Sequence, residues 1–272
     1  LAPLQAAGWG HPITTGLPGI DLYLSGDLLE PPGADRHYRE KLIRLPDTGA
    51  CTLSPPVLAQ ALPPEIAGHL PADRDITRLI LCQHAFKFDP ADDALYARIA
   101  RVAAPCRIFI LLRPDETTQS ERLLARLRQA CTAQGVNGAE ALVPLPWLPT
   151  PQFYSLLDAM DVYLDCPGFS GYTTAWQALH RCLPIVTLEG RFMRQRLAAG
   201  ALRQIEQTET IAEDADGYVK IAAMLAQESR GYPIARDTRR ASLREAAPKL
   251  DGNAEVVRAF ETALAEELER RR

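Results

Sequence analysis

The residues best suited to chemistry in this chain are a lysine, two threonines and two glycines, each standing just beyond an apolar run. After the apolar residues 162–164 come Gly168 and Gly171, then Thr173 and Thr174 at the head of a helical pattern. A helix leaves its first amides without intrahelical partners, and a glycine turn lets a ligand approach the backbone closely. Such a strand, turn and helix start can hold a phosphate against N–H donors and the positive end of the helix dipole. On their own the threonines read as ordinary helix caps. A second segment changes that: residues 79–82 run into Gln83, His84, Ala85, Phe86 and Lys87, so a lysine also follows a strand. Ligands of doubly wound sheets collect beyond the carboxyl ends of the strands, so both segments are predicted to face one phosphate from the same sheet edge.

The elements that must position these residues follow from the hydrophobic pattern. Strands are predicted at 76–82, 107–112, 141–145, 162–165 and 184–188, alternating with helices near 92–103, 118–134, 151–160, 173–181 and from about 191. Apolar strands between amphipathic helices imply right-handed βαβ crossovers and a parallel sheet covered on both faces. The fold class is α/β and Rossmann-like. Upstream, residues 20–24 and 41–45 read as short strands with too little chain around them for a core of their own. Pro55-Pro56 and Pro63-Pro64 bracket a linker-like stretch, because proline denies a ladder its N–H donor. Downstream, 216–227, 235–247 and 254–271 read as helices. The organisation expected is therefore the tail of a preceding domain at 1–54, a linker at 55–75, a Rossmann-like domain at 76–250 and a C-terminal helix at 251–272. That helix carries Val256, Val257, Phe260, Leu264 and Leu268 on one face and is expected to cross back toward residues 1–45.

Composition narrows the class of function. The 272 residues are 47% hydrophobic with a formal net charge of -4, which suits a globular protein and argues against a general nucleic-acid binder. No apolar stretch approaches the ~20 residues needed to span a bilayer. Six dispersed cysteines lack the spacing of metal or redox motifs and read as reduced thiols in a cytoplasmic protein. No metal site is expected. The chain opens on Leu1 without a signal-peptide pattern and reads as a piece of something longer.

Several segments together resemble glycosyltransferase family 41, the O-linked N-acetylglucosamine transferase family, especially its bacterial members with tetratricopeptide repeats. They are Gly10-His11-Pro12 with Thr14-Thr15-Gly16; Ile20-Asp21; Tyr38 with Glu40-Lys41-Leu42; Cys82-Gln83 through Phe86-Lys87; Asp161 to Asp165; Ser170-Gly171 with Thr173-Thr174; Pro184 to Leu188 with Gly190; and Phe192-Met193-Arg194 with Arg196. The resemblance implies a GT-B architecture, two Rossmann-like domains across a cleft, with residues 1–54 the end of the first, acceptor-side domain. It also implies a uridine diphosphate (UDP) sugar held mainly by the second domain. Lys87 would then contact the diphosphate, Thr173 and Thr174 would receive it at a helix start beside the Gly171 turn, and His11 would approach the sugar. Gln177 stands where the family commonly has an acidic residue for the ribose. Tyr172 replaces a histidine of the animal enzymes, and His84 sits where glutamine or small polar residues are usual. Thr150, Phe153 and Leu156 replace basic residues of the animal enzymes. An earlier histidine and the repeats would lie upstream of Leu1.

The function expected is transfer of N-acetylglucosamine or a hexose from a UDP-sugar to a polypeptide, inverting and without a metal or other cofactor. Two alternatives stand beside it: a degenerate, non-catalytic UDP-sugar-binding or scaffold protein, and a UDP-sugar epimerase. Arg194 and Arg196 either reach the cleft, or lie on a solvated helix face or form an internal ion pair. Trp176 and Phe169 read as packing residues, and His37, His69 and His180 belong to no constellation.

Overall fold

The computed structural model describes residues 2–53, 58–73 and 75–271, so the Pro55-Pro56 part of the expected linker lies outside the described residues. Among the described residues, nine strands form two parallel sheets. The first, ordered β1-β2-β3, joins β1 (Ala6–Gly8), β2 (Leu22–Gly26) and β3 (Lys41–Leu45). A one-turn helix, α1 (Pro64–Ala67), occupies part of the stretch expected to be linker, with proline at its first turn where a missing N–H costs nothing.

The second sheet contains β4 (Thr77–Leu81), β5 (Cys106–Leu112), β6 (Leu142–Pro146), β7 (Val162–Leu164), β8 (Ile185–Leu188) and β9 (Ile211–Ala212). Its order is β6-β5-β4-β7-β8-β9, with every pairing parallel. Helices α2 (Asp93–Val102), α3 (Thr117–Ala133), α4 (Gly138–Ala141), α5 (Thr150–Ala159), α6 (Thr173–His180) and α7 (Leu197–Gln204) connect these strands. α8 (Ala215–Gly231), α9 (Pro233–Ala246) and α10 (Ala254–Glu269) follow.

Both faces of the sheet are covered, and the period of two along a strand assigns alternate residues to each. From β4, Ile80 and then Cys82 enter a core shared with α5, α6, α7 and α9, while Leu79 and Leu81 enter one shared with α2, α3 and α8. The α/β fold and its parallel sheet thus match the hydrophobic pattern. The chain differs after β8, where the helix expected from about 191 is a single 3-10 turn, Met193–Gln195, followed by α7. That turn has a job of its own, because its Met193, with Leu197 of α7, packs with Tyr23 and Leu42 of the first sheet and Leu29 just after β2.

α10 lies against β3, with ion pairs from Lys41 to Glu267 and from Arg271 to Asp21, the latter at 2.6 Å. At its start, Asn253 donates to the Asp47 carboxylate at 2.7 Å. Val256 is buried against the first sheet, whereas Val257 and Leu268 remain 43% and 39% exposed, so only part of the apolar face is covered.

Candidate functional site

The strand order reverses between β4 and β7. From β4 the chain builds outward through β5 to β6, then returns to the other side of β4 and builds β7, β8 and β9. A crevice opens beyond the C-terminal ends of two strands whose connections depart in opposite directions. The 3-10 turn Ala85–Lys87 follows β4, and α6 follows β7, so both segments reach this crevice. A cavity of about 750 Å³ fills it, of a size suited to a nucleotide-sized ligand. Lys87, Thr173, Thr174, Gln177, Tyr172 and His84 line it from the large sheet, and His11 lines it from the first sheet.

At one end, Thr173 and Thr174 are the first two residues of α6, and no side chain caps the helix. Their hydroxyls are therefore not caps, and the first amides of α6 stay available. The Thr174 hydroxyl lies 2.8 Å from that of Tyr163. Gly171 is required by close approach, since a Cβ there would stand 2.5 Å from the Tyr163 oxygen and 2.9 Å from Thr174 Oγ1.

The turn hangs on Asp165, which is 1% exposed. Its carboxylate accepts from the Gly171 amide at 2.7 Å, the Ser170 hydroxyl at 2.6 Å and the Thr187 hydroxyl at 2.7 Å. The Ser170 oxygen in turn accepts from the amide of Ala198 in α7 at 2.9 Å. Burial pushes the Asp165 carboxyl above its ordinary range against these hydrogen bonds and the nearby Lys87 charge. Lys87 donates to the Ser170 carbonyl at 3.1 Å and sits 4.1 Å above the Phe169 ring. Burial lowers the lysine below its ordinary value, with Asp165 opposing that shift. A cation partly stripped of water next to unpaired amides will hold an anion more strongly than it would at the surface.

The other end is drier. Trp147, Leu148 and Phe153 form its walls, with Thr150 beside them, while Leu156 is fully buried in the core. Gln177 lies one turn into α6 from Thr173 and Thr174 and lines the same cavity. Gln83, 3% exposed, donates to Tyr163 at 2.7 Å and its side-chain carbonyl accepts from Cys166 at 3.4 Å. His84 is flanked by Trp147 and Phe86 at ring distances of 5.1 and 5.5 Å.

Across the cavity, His11 is exposed on the loop after β1, and its carbonyl accepts the Tyr23 hydroxyl at 2.6 Å. The same loop is anchored by buried Glu40, which accepts from the Thr14 hydroxyl at 2.5 Å, the Thr15 amide at 2.8 Å and the Thr15 hydroxyl. Although burial works to raise it, these hydrogen bonds hold the Glu40 carboxyl down at about 2. Tyr172 joins the two sides, packing edge-on to Trp9 at 4.4 Å and approaching the Thr48 hydroxyl at 3.5 Å. Burial pushes its phenol up to about 12.

Other candidates lie elsewhere. Arg196 pairs with Glu189 at 2.7 Å, which is the internal ion pair alternative, whereas Arg194 lies over the Phe192 ring at 4.8 Å. His180 contacts Asp251 at 3.2 Å and His37 packs on Phe192 at 5.1 Å. Trp176 is buried in the core, whereas Phe169 lines the cavity under Lys87. Among the described residues, no group of three or more His, Cys, Asp or Glu could hold a metal ion. Pattern reading gave no role to Asp165, Gln83, Tyr163, Glu40 or Glu116. The linear signs of the first two are a polar residue directly after an apolar strand and membership of the segments that carry the family resemblance.

Comparison with known proteins places this arrangement. Over 234 residues the chain is 30% identical to the probable UDP-N-acetylglucosamine--peptide N-acetylglucosaminyltransferase SPINDLY of Petunia hybrida, covering 84% of this chain and 24% of the relative. The protein of the same description from Hordeum vulgare is 28% identical over 272 residues, with 96% and 27% covered. The chain thus spans about a quarter of the length of these curated relatives. A mutant of Thermobaculum terrenum O-GlcNAc transferase superposes with a TM-score of 0.76 at 26% identity, over 99% of this chain and 48% of that one. Sucrose-phosphate synthase from Thermosynechococcus elongatus, at TM-score 0.58 and 16% identity over 92% of this chain and 59% of that one, shares the GT-B fold. A family model described as glycosyl transferase family 41 matches residues 73–249, the whole of the large sheet and most of its helices, and the chain belongs to that family.

Proposed function

We propose that this chain carries the donor-binding part of a UDP-sugar-dependent glycosyltransferase that transfers N-acetylglucosamine or a hexose to a polypeptide, with inversion and without a metal. The observation that carries the proposal is the convergence, at the switch point of one sheet, of a half-buried lysine and the free amides of α6 on one cavity. The names of the relatives support the choice of UDP-N-acetylglucosamine as donor and a peptide as acceptor.

In the proposed reaction an acceptor nucleophile displaces the nucleotide from the anomeric carbon in one step. Negative charge then develops on the leaving diphosphate. Lys87 and the amides at the start of α6 meet that charge with donors already fixed in place, so little reorganisation is needed as it forms. Gly171 lets the diphosphate reach the backbone, and Thr173 and Thr174 offer their hydroxyls beside it. Gln177 accepts from the ribose through its amide oxygen, without the charge that would strengthen the bond. His84 and Tyr172 border the nucleotide, and His11 approaches the sugar from the opposite wall. The proposed setting is the cytoplasm, in keeping with six free cysteines. No helix among the described residues is long and apolar enough to cross a membrane.

A second reading has its own observation. Thr150 and Phe153 line the nucleoside end without a cation, and Leu156 is buried in the core, which fits a member that binds UDP-sugars without turning them over. Calorimetric titration with UDP tests the site. Lys87→Ala removes a charge-assisted contact worth roughly 1.5–3 kcal/mol, so affinity should fall about ten- to a hundredfold. Equal affinity in parent and variant would remove Lys87 from the site. Incubating the full-length protein with UDP-N-acetylglucosamine, with and without peptide, then separates the classes: transfer requires the acceptor, epimerisation does not, and a scaffold gives neither product.

A further inference from the structure

Beside the nucleoside end of the cavity stands a pair of titratable groups with unused hydrogen-bonding capacity. His84 lines the cavity from the end of β4, and its ring is held between Phe86 and Trp147. Glu116, just before α3, places one carboxylate oxygen 3.6 Å from His84 Nδ1. That separation lies within ion-pair range but is too long for a hydrogen bond. Both His84 Nδ1 and the second Glu116 oxygen are buried without a hydrogen-bond partner. The groups around them are already committed. Arg113 gives two hydrogen bonds to Asp115, at 3.0 and 2.9 Å, and only its Nε stands 3.7 Å from Glu116. Lys87, on the same 3-10 turn as Phe86, is held by the Ser170 carbonyl. The Cys82 thiol, pushed up to about 12 by burial, stays neutral.

We infer that His84 and Glu116 form a proton-coupled contact for the nucleotide sugar: the ring takes up one proton from solvent, Glu116 accepts a hydrogen bond from Nδ1–H and positions the ring, and Nε2–H of the imidazolium donates to the anionic ligand. The inference rests on the nucleotide reading of the cavity. Histidine is the side chain whose charge changes readily between pH 5 and 8. A diphosphate entering a cavity that already holds Lys87 favours the protonated ring, and Glu116 is the acceptor poised to share it. Contacts of this kind are commonly long in an empty site and tighten on binding. Glu116 is the positioning residue, and His84 the one that touches the ligand.

UDP-N-acetylglucosamine is the probe of choice, because its diphosphate is esterified at both ends and takes up no proton near neutrality. Calorimetric titrations at pH 6, 7 and 8, in two buffers of different ionisation heat, should show proton uptake on binding. The parent should bind roughly three- to tenfold more tightly at pH 6 than at pH 8. Lys87, lowered by burial, gives the same sign at the alkaline end, so the variants decide the origin. His84→Gln and Glu116→Gln should each flatten the profile, with His84→Gln abolishing the uptake at the acidic end. With five histidines in the chain, the imidazole signal lost in His84→Gln identifies the ring by NMR, and in the parent that signal should shift on ligand addition. An unchanged pH slope in folded His84→Gln, or an imidazole signal indifferent to ligand, overturns the inference while leaving the nucleotide reading intact. Failure of the parent to bind at any pH overturns both.

Discussion

The two walls of the cavity are each held by a buried carboxylate, yet the two carboxylates are in opposite states. On the large-sheet side Asp165, just after β7, collects donors from the glycine turn, β8 and, through Ser170, α7, and burial still leaves it above its ordinary range. On the first-sheet side Glu40 serves only the loop of Thr14 and Thr15, and their hydrogen bonds hold it at about 2. A core carboxylate that ties four segments together is tolerated at a cost because the fold depends on it. A local clamp is well solvated by its own partners and fixes one loop. The anion end of the site therefore inherits the rigidity of the sheet, and the His11 wall is an attached part that can be loosened separately.

The largest effect expected from breaking this contrast is at Asp165. In Asp165→Ala the Gly171 amide and the Ser170 and Thr187 hydroxyls lose their buried acceptor, at about 1–3 kcal/mol for each group left unsatisfied. A loss of at least about 3 kcal/mol in urea unfolding is expected, together with the UDP site. Because burial raises the carboxyl, its ionisation opposes folding, and stability from this residue should decline as pH rises above 3.8, its ordinary value. Asp165→Ala unfolding with the parent's midpoint would show that the turn is held by something else.

Next is Gly171→Ala, where the added methyl meets the Tyr163 oxygen. Overpacking of this kind costs roughly 1–3 kcal/mol and should displace the start of α6, weakening UDP binding. Tyr163→Phe in the same chain removes the obstructing oxygen and should restore part of both losses. Additive effects in the double variant, read from thermal melts, would contradict the close approach.

Glu40→Gln sharpens the comparison from the other side. One donor of the Thr14–Thr15 loop loses a charge-assisted acceptor, a cost near ~1–2 kcal/mol, while UDP affinity should stay within about twofold because no diphosphate contact moves. Its pH dependence runs opposite to that of Asp165. The folded carboxyl is lowered from the ordinary glutamate value of 4.5, so its stabilisation is complete above 4.5 and is lost as pH falls toward about 2. Parent and Glu40→Gln should therefore converge in stability across that window, as followed by circular dichroism.

The same contrast explains what could be read from the linear sequence. Lys87, Thr173 and Thr174 announce themselves because strand, turn and helix start are local patterns, and the parallel sheet follows from apolar runs spaced by helices. The Asp165 network could not be read this way, since Ser170, Thr187 and Ala198 meet only when β7, β8 and α7 are packed. Glu116 is silent for the same reason: its partner His84 is supplied by another strand. The short strands β1 and β9 carry too few residues to show a period. The 3-10 turn after β8 replaces an expected helix because Met193 is pulled into the contact with the first sheet.

The smallest effect is expected at Arg194, which follows β8 in sequence and invites assignment to the anion site. Its guanidinium lies over Phe192 instead, while its backbone carbonyl accepts the Ser170 amide at 2.8 Å. Only the backbone thus reaches the turn that carries the site, and Arg194→Ala leaves the backbone in place. Losing a half-buried cation–π contact costs roughly 0.5–1 kcal/mol of stability, and UDP affinity should change by less than about twofold. Isothermal titration beside Lys87→Ala makes the comparison direct, since both variants remove one positive charge near the same turn. A fall in affinity at Arg194→Ala equal to that at Lys87→Ala would mean that the cavity senses charge at long range, and that the fixed geometry around Lys87 adds nothing of its own.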